Sequence, residues 1–117
     1  MIHFASQLKI FLAAGATDMR KSFNSLSALV KNQLQHDPLS GHLFVFCNKP
    51  RNRIKVLFWE RGGFWVCAKR LEKGTFSWPK SSEKTVIFTG EELMLLLGGI
   101  DLNITRQRLW HELGQKA

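Results

Sequence analysis

The 117-residue sequence predicts an α+β fold in a single compact domain: an antiparallel three- to five-stranded meander packed against one long helix and short C-terminal helices. Three observations carry this expectation. Apolar residues first recur at three- and four-residue spacing, the signature of a helix with one buried stripe. Three consecutive runs rich in β-branched and aromatic residues then follow, separated by short turn sequences. No internal repeat, low-complexity tract or composition shift marks a linker, so residues 1–117 read as one unit.

Gln7 to Ala13 form an apolar run of strand length, closed by Gly15. Thr17 and Asp18 offer side-chain oxygens suited to opening a helix. Met19, Phe23, Leu26, Leu29, Val30 and Leu34 place one stripe of a helix from about Met19 to Gln35 against a core, and Asp37-Pro38 and Ser40-Gly41 end it. LFVFC, RIKVLFWE and FWVCAKRL then read as three antiparallel strands. KPRNR links the first pair and Arg61-Gly62-Gly63 the second, the glycines being able to take the positive φ of a tight hairpin. TFSWPKSSEK is a polar loop pinned to the body by Phe76 and Trp78. Val86 to Phe88 add a short strand. Thr89 with Glu92 forms a capping box ahead of a Leu-rich helix that Gly98-Gly99 stops. A last helix is expected from Ile104 to Leu113, with Asn103 at its head.

Seventeen Lys and Arg against nine Asp and Glu give a formal charge of +8, an imbalance that favours an anionic macromolecule over a neutral small-molecule substrate. The excess is localised: ten basic and three acidic residues lie between Lys49 and Lys84, whereas the rest of the chain is nearly neutral. If Gly62-Gly63 turn the hairpin, one face carries Arg53, Lys55, Leu57 and Trp59 beside Val66, Ala68 and Arg70. The other holds Ile54, Val56, Phe58, Cys67 and Leu71, the core side. Lys55 then faces Arg70, and like charges opposed across a ladder call for an anion between them. Cations beside rings on an open sheet face suit a nucleic-acid strand, whose backbone is tracked by charge and whose bases stack. Arg51, Arg53, Lys55, Arg61, Lys69, Arg70 and Lys73 are the candidate contacts, and Trp59, Trp65 and Trp78 the candidate stacking or interface rings. For each Trp, core packing is the simpler alternative.

Several chemistries are disfavoured. The absence of Tyr excludes a phosphotyrosyl intermediate. His3, His36, His42 and His111 show no metal-ligand spacing, no phosphate-cradling Gly motif occurs, and the three aspartates do not form a two-metal set. No metal, cofactor or enzymatic activity is therefore expected. Cys47 and Cys67 lie in apolar runs and are expected as reduced, buried hydrophobes. The longest apolar stretches, Ile10 to Ala16 and Leu93 to Ile100, are too short to cross a bilayer, and a cytoplasmic location is expected.

The strings TDMRKSFNSLSALV, DPLSGHLFVF, RIKVLFWERGGFWV, KRLEKGTFSWP and EELMLLLGGIDL, in this order from about Ile10 to Leu102, closely resemble the TnpB accessory-protein family of insertion-sequence-66 elements. The resemblance implies a protein needed for transposition that is not itself the strand-transfer enzyme. The implied partners are element-end DNA or other nucleic acid, the transposase and a companion accessory protein. Arg53, Lys55, Lys69, Arg70 and Lys73 match the family strings, as do Asp18, Arg20 and Lys21 at the expected helix start. Cys47, Ala68, Thr75 and Ser77 depart from basic or aromatic positions habitual in that family. The rival reading is an adaptor that docks on the transposase through Trp59, Trp78 and Trp110, with the Leu-rich helix as a further part of the interface, without contacting nucleic acid.

Overall fold

The computed structural model describes residues 8–98. The elements in chain order are β1 (Ile10–Ala13), α1 (Phe23–Asn32), β2 (Leu43–Cys47), β3 (Arg53–Glu60), β4 (Gly63–Arg70), β5 (Thr85–Phe88) and α2 (Gly90–Leu97). The five strands form one sheet in the order β4-β3-β2-β1-β5. The meander β2-β3-β4 is antiparallel as expected, but β1 runs parallel to β2, so the sheet is mixed. The cause is the connection: α1 carries the chain from the end of β1 back to the start of β2, and such a crossover delivers parallel neighbours. β5 then returns antiparallel to β1.

Period-two alternation sorts the strands into two cores. Ile10, Leu12, Val45, Ile54, Val56 and Phe58 face Phe76, Trp78, Leu93 and Leu96 on one side. Phe11, Phe44, Phe46 and Leu57 face Leu26, Val30 and Leu34 of α1 on the other. β1 and β2 are buried along their whole length, as strands covered on both faces must be. The face expected to lie open is therefore covered: Leu57 is 0% exposed beneath α1, with Phe64 and Val66 packed against the same cluster.

The long helix is shorter than its apolar stripe suggests. Ser22 is extended, and its backbone N–H donates to Ser25 Oγ at 2.9 Å. Lys21 carbonyl, which a helix starting at Met19 would use internally, accepts instead from Lys55 Nζ at 2.6 Å. At the other end Gln35 takes a left-handed φ of 59° and stops the helix. α2 starts as expected, with Glu92 N–H donating to Thr89 Oγ1 at 3.1 Å and Thr89 N–H to Glu92 Oε1 at 3.2 Å. The expected helix at Ile104 to Leu113 lies outside the described residues.

The hairpin between β3 and β4 turns on Arg61 and Gly62, with φ of 46° and 82°, rather than on the glycine pair. Two successive positive φ angles match the twist of tight two-residue hairpins. The register shifts accordingly: Arg53, not Lys55, stands opposite Arg70, and Lys55 stands opposite Ala68. Cys47 is buried as expected, but Cys67 is exposed because edge strand β4 extends past the layer that covers β3.

Candidate nucleic-acid interface

Two neighbouring parallel strands, β1 and β2, release their chains at the same end of the sheet, and β3 begins there. Three segments meet at this end: the turn after β1, the Asn48–Arg53 connection, and the loop before β5. They are fastened to one another. Thr17 N–H donates to Cys47 carbonyl at 2.8 Å, and Phe76 N–H to Arg51 carbonyl at 2.7 Å. Trp78 Nε1–H donates to Ala13 carbonyl at 3.1 Å. Asn48 Oδ1 accepts from the N–H groups of Asn52 (3.0 Å) and Arg53 (3.1 Å), closing the connection on itself. The tips are thus held by the sheet they cap, which is how rigid scaffolds position binding loops.

Three concavities run across this end. The first, about 330 Å³, lies between Met19 and the facing cations Arg53, Lys55 and Arg70. The second, about 480 Å³, separates Thr17–Arg20 from Lys49 and Arg53. The third, about 290 Å³, lies between Gly15, Lys49, Arg51, Trp78 and Lys80. Met19 and Arg53 wall both the first and the second, and Ala16, Asn48 and Lys49 both the second and the third, so the three join into one track.

The cations along the track are not equivalent. Arg20 clasps Asp18 through Nε and a terminal nitrogen, the latter at 2.7 Å, and Arg70 reaches Glu72 at 3.0 Å. Hydrogen bonding from Arg20 holds the Asp18 carboxyl down at about 2. Lys55 is tied to Lys21 carbonyl, and Lys69 to Leu97 carbonyl at the end of α2 at 2.7 Å. The side chains of Lys49, Arg51, Arg53 and Lys80 make no hydrogen bond or ion pair among the described residues. Asp18 and Glu72, the acids that line the second and first concavities, are engaged by Arg20 and Arg70, and no acid lines the third, so the unpaired cations of this wall constitute an anion-attracting surface.

The sequence-derived candidates divide around this surface. Arg51, Arg53, Lys55, Lys69 and Arg70 wall the track, whereas Lys73 is exposed in the turn after β4 and lines none of the three concavities. Arg61 sits at the hairpin tip, at the opposite end of the β3–β4 ladder from Arg53, about 26 Å away at strand rise. Trp59 and Trp65 lie at that same far end and on opposite faces, Trp59 edge-on to Phe64 at 5.0 Å and Trp65 stacked on Phe58 at 6.2 Å. Trp78 is 7% exposed and hydrogen-bonded into the core, so it is a wall rather than a free stacking platform. Trp59 does share the expected face with Arg53, Lys55 and Arg70, but Leu57, buried under α1, separates it from them, so ring and cations do not form one open row. Asp18, Arg20 and Lys21 precede α1 in a turn rather than starting it.

Lys49 and Lys80 are the residues that sequence reasoning passed over. Both fall within the basic stretch, but only the contact between the Asn48–Arg53 connection and the Trp78 loop brings them together. The burial that raises the Cys47 thiol to about 11 removes it from ionic chemistry at this end. Among the described residues no group of three His, Cys, Asp or Glu is placed to hold a metal ion, and no helix is long and apolar enough to cross a membrane.

A family model described as IS66 Orf2 like protein matches residues 8–107. Two proteins of Sinorhizobium fredii, both named as uncharacterized, y4hO and y4jC, are each 35% identical to this chain over 101 residues. Those matches cover 86% of this chain, 88% of y4hO and 86% of y4jC. No solved structure matches.

Proposed function

The chain belongs to the IS66 Orf2-like family, and on that premise we propose that it is a non-enzymatic accessory of insertion-sequence transposition that holds nucleic acid along its basic track. The observation that carries the proposal is the continuity of three concavities past Lys49, Arg51, Arg53 and Lys80, cations with no hydrogen-bond or ion-pair partner among the described residues. A phosphodiester backbone supplies regularly spaced negative charge, and releasing its counterions drives binding whatever the sequence. With no aromatic platform in the track, contact is to the backbone, and base preference is weak. In this reading the protein acts in the cytoplasm beside the element's transposase and companion accessory protein.

The test is binding of the purified chain to element-end duplex, unrelated duplex and single-stranded RNA across a salt series. Arg53→Glu with Arg70→Glu is the informative variant, because these two side chains oppose each other and neither anchors a backbone carbonyl. We expect at least a tenfold loss of affinity and a salt slope lowered by about two. Arg61→Glu, a single charge reversal about 26 Å away, should leave the slope nearly unaltered. Equal binding by the double variant and the native chain would overturn the proposal.

One observation favours a second reading. Trp65 is 48% exposed at the hairpin end, and an exposed Trp is a common anchor of protein interfaces. An adaptor docking on the transposase would use this end and leave the track idle. Loss of transposase co-purification in Trp65→Ala, with nucleic-acid binding absent at low salt, is the outcome that selects it.

A further inference from the structure

We infer that the third concavity is a phosphate anchor, a fixed site in which Lys49, Arg51 and Lys80 grip one phosphoryl group. The inference deepens the nucleic-acid reading and rests on it only for the source of that group, a strand rather than a free nucleotide. Several features support it. The cations come from two separate segments, the Asn48–Arg53 connection and the loop before β5, and no acidic side chain lines the cavity to neutralise them. Mutual repulsion would spread such side chains apart unless an anion is accommodated between them.

The walls are also built rather than incidental. Trp78 forms one side and is fixed by its indole bond to Ala13 carbonyl. Arg51 is held in the left-handed region at φ 62°, a conformation that residues with a side chain seldom adopt, and its carbonyl is fastened by Phe76 N–H. A non-glycine residue kept there by its surroundings is a frequent mark of a functional site. Ser81 Oγ accepts from Glu83 N–H at 3.0 Å, which leaves its own proton to donate into the cavity. The location also fits, since the crevice outside the carboxyl ends of parallel strands is where open sheets receive phosphate-bearing ligands. A volume of about 290 Å³ suits a phosphate with its attached sugar.

The indole N–H of Trp78 reports on this wall directly. We would follow the indole signals of the full chain by NMR, assigning Trp78 by elimination with Trp59→Phe, Trp65→Phe and Trp110→Phe. The probes are inorganic phosphate, adenosine monophosphate and a short oligothymidine. The expected result is that all three shift Trp78 and leave Trp59 and Trp65 in place. Lys49→Gln with Lys80→Gln should abolish the shift and weaken oligothymidine binding about tenfold, with the salt slope reduced by about two. Arg51 is left intact in that variant because its backbone is part of the wall.

Oligothymidine binding with Trp78 unmoved would overturn the anchor and leave the track standing. A Trp78 shift with phosphate and the mononucleotide, but no oligothymidine binding, would uphold the anchor and overturn the nucleic-acid reading. No shift and no binding would overturn both.

Discussion

Asp18 and Arg20 sit two residues apart, and the short loop between β1 and α1 lets the carboxylate accept from both the guanidinium and the backbone N–H of Arg20. Side-chain hydrogen bonding is the main cause of the carboxyl's fall from an ordinary 3.8 to about 2. The sign follows: a depressed carboxyl favours the folded loop above pH 3.8, and that contribution disappears as pH falls through about 2. We expect the Asp18 carboxyl carbon to titrate near 2 in an NMR pH series, and Arg20→Gln to raise it toward 3.8 without restoring it fully, because the backbone N–H at position 20 and the charge of Lys21 remain. This clasp also explains why Asp18 does not cap α1, since its oxygens are already engaged. Other single residues were illegible for a different reason. Whether Trp78 is a platform or a wall depends on Ala13, a partner 65 positions away, and one-dimensional spacing carries no trace of that contact.

At the scale of elements, the alternation along β3 and β4 identified which side chains share a face even though the turn was misplaced. Moving both turn residues back by one shifts every cross-strand partner by two, and two is the side-chain period of a strand. Face membership survives such an error; the opposed pairs do not, and so Arg53 rather than Lys55 meets Arg70. What alternation did not disclose is that the second face is covered, because α1 reaches it only through the crossover. Leu57 measures that cover. We expect Leu57→Ala to cost about 2–5 kcal/mol in urea unfolding, the range for a truncated leucine in a closed core, instead of the small effect of an exposed strand position. The capping box of α2 was legible because Thr89 and Glu92 interact within one turn.

For the molecule as a whole, local signals outline all five strands and the antiparallel relations of the three in the meander, but not the sheet order. The parallel pairing of β1 with β2 depends on where α1 packs, and a helix stripe names a buried side without naming its partner. Function shows the same division. The concentration of charge was visible in the sequence, but not its partition into tied and unpaired cations, which is fixed by carbonyls of Lys21 and Leu97. The resulting molecule has two unlike ends, unpaired cations where β1 and β2 finish and exposed Trp65 near the hairpin, about 20 Å apart along the strands. Variants at one end should therefore combine additively with variants at the other in any binding assay, a double-mutant cycle of Arg53→Glu with Trp65→Ala being the direct check.

Strand β1 lies between β2 and β5, and its antiparallel neighbour is the last strand of the sheet to be synthesised. On the ribosome, the apolar segment Ile10–Ala13 emerges first, yet one whole side of its hydrogen-bonding ladder stays vacant until Thr85–Phe88 arrives seconds later. During that interval a fully apolar strand is an edge open to pairing with other nascent chains. Completion of the sheet is thus a late, long-range event, and refolding of the isolated chain should be slow for its size, with an aggregation-prone phase that shortens as the chain is diluted.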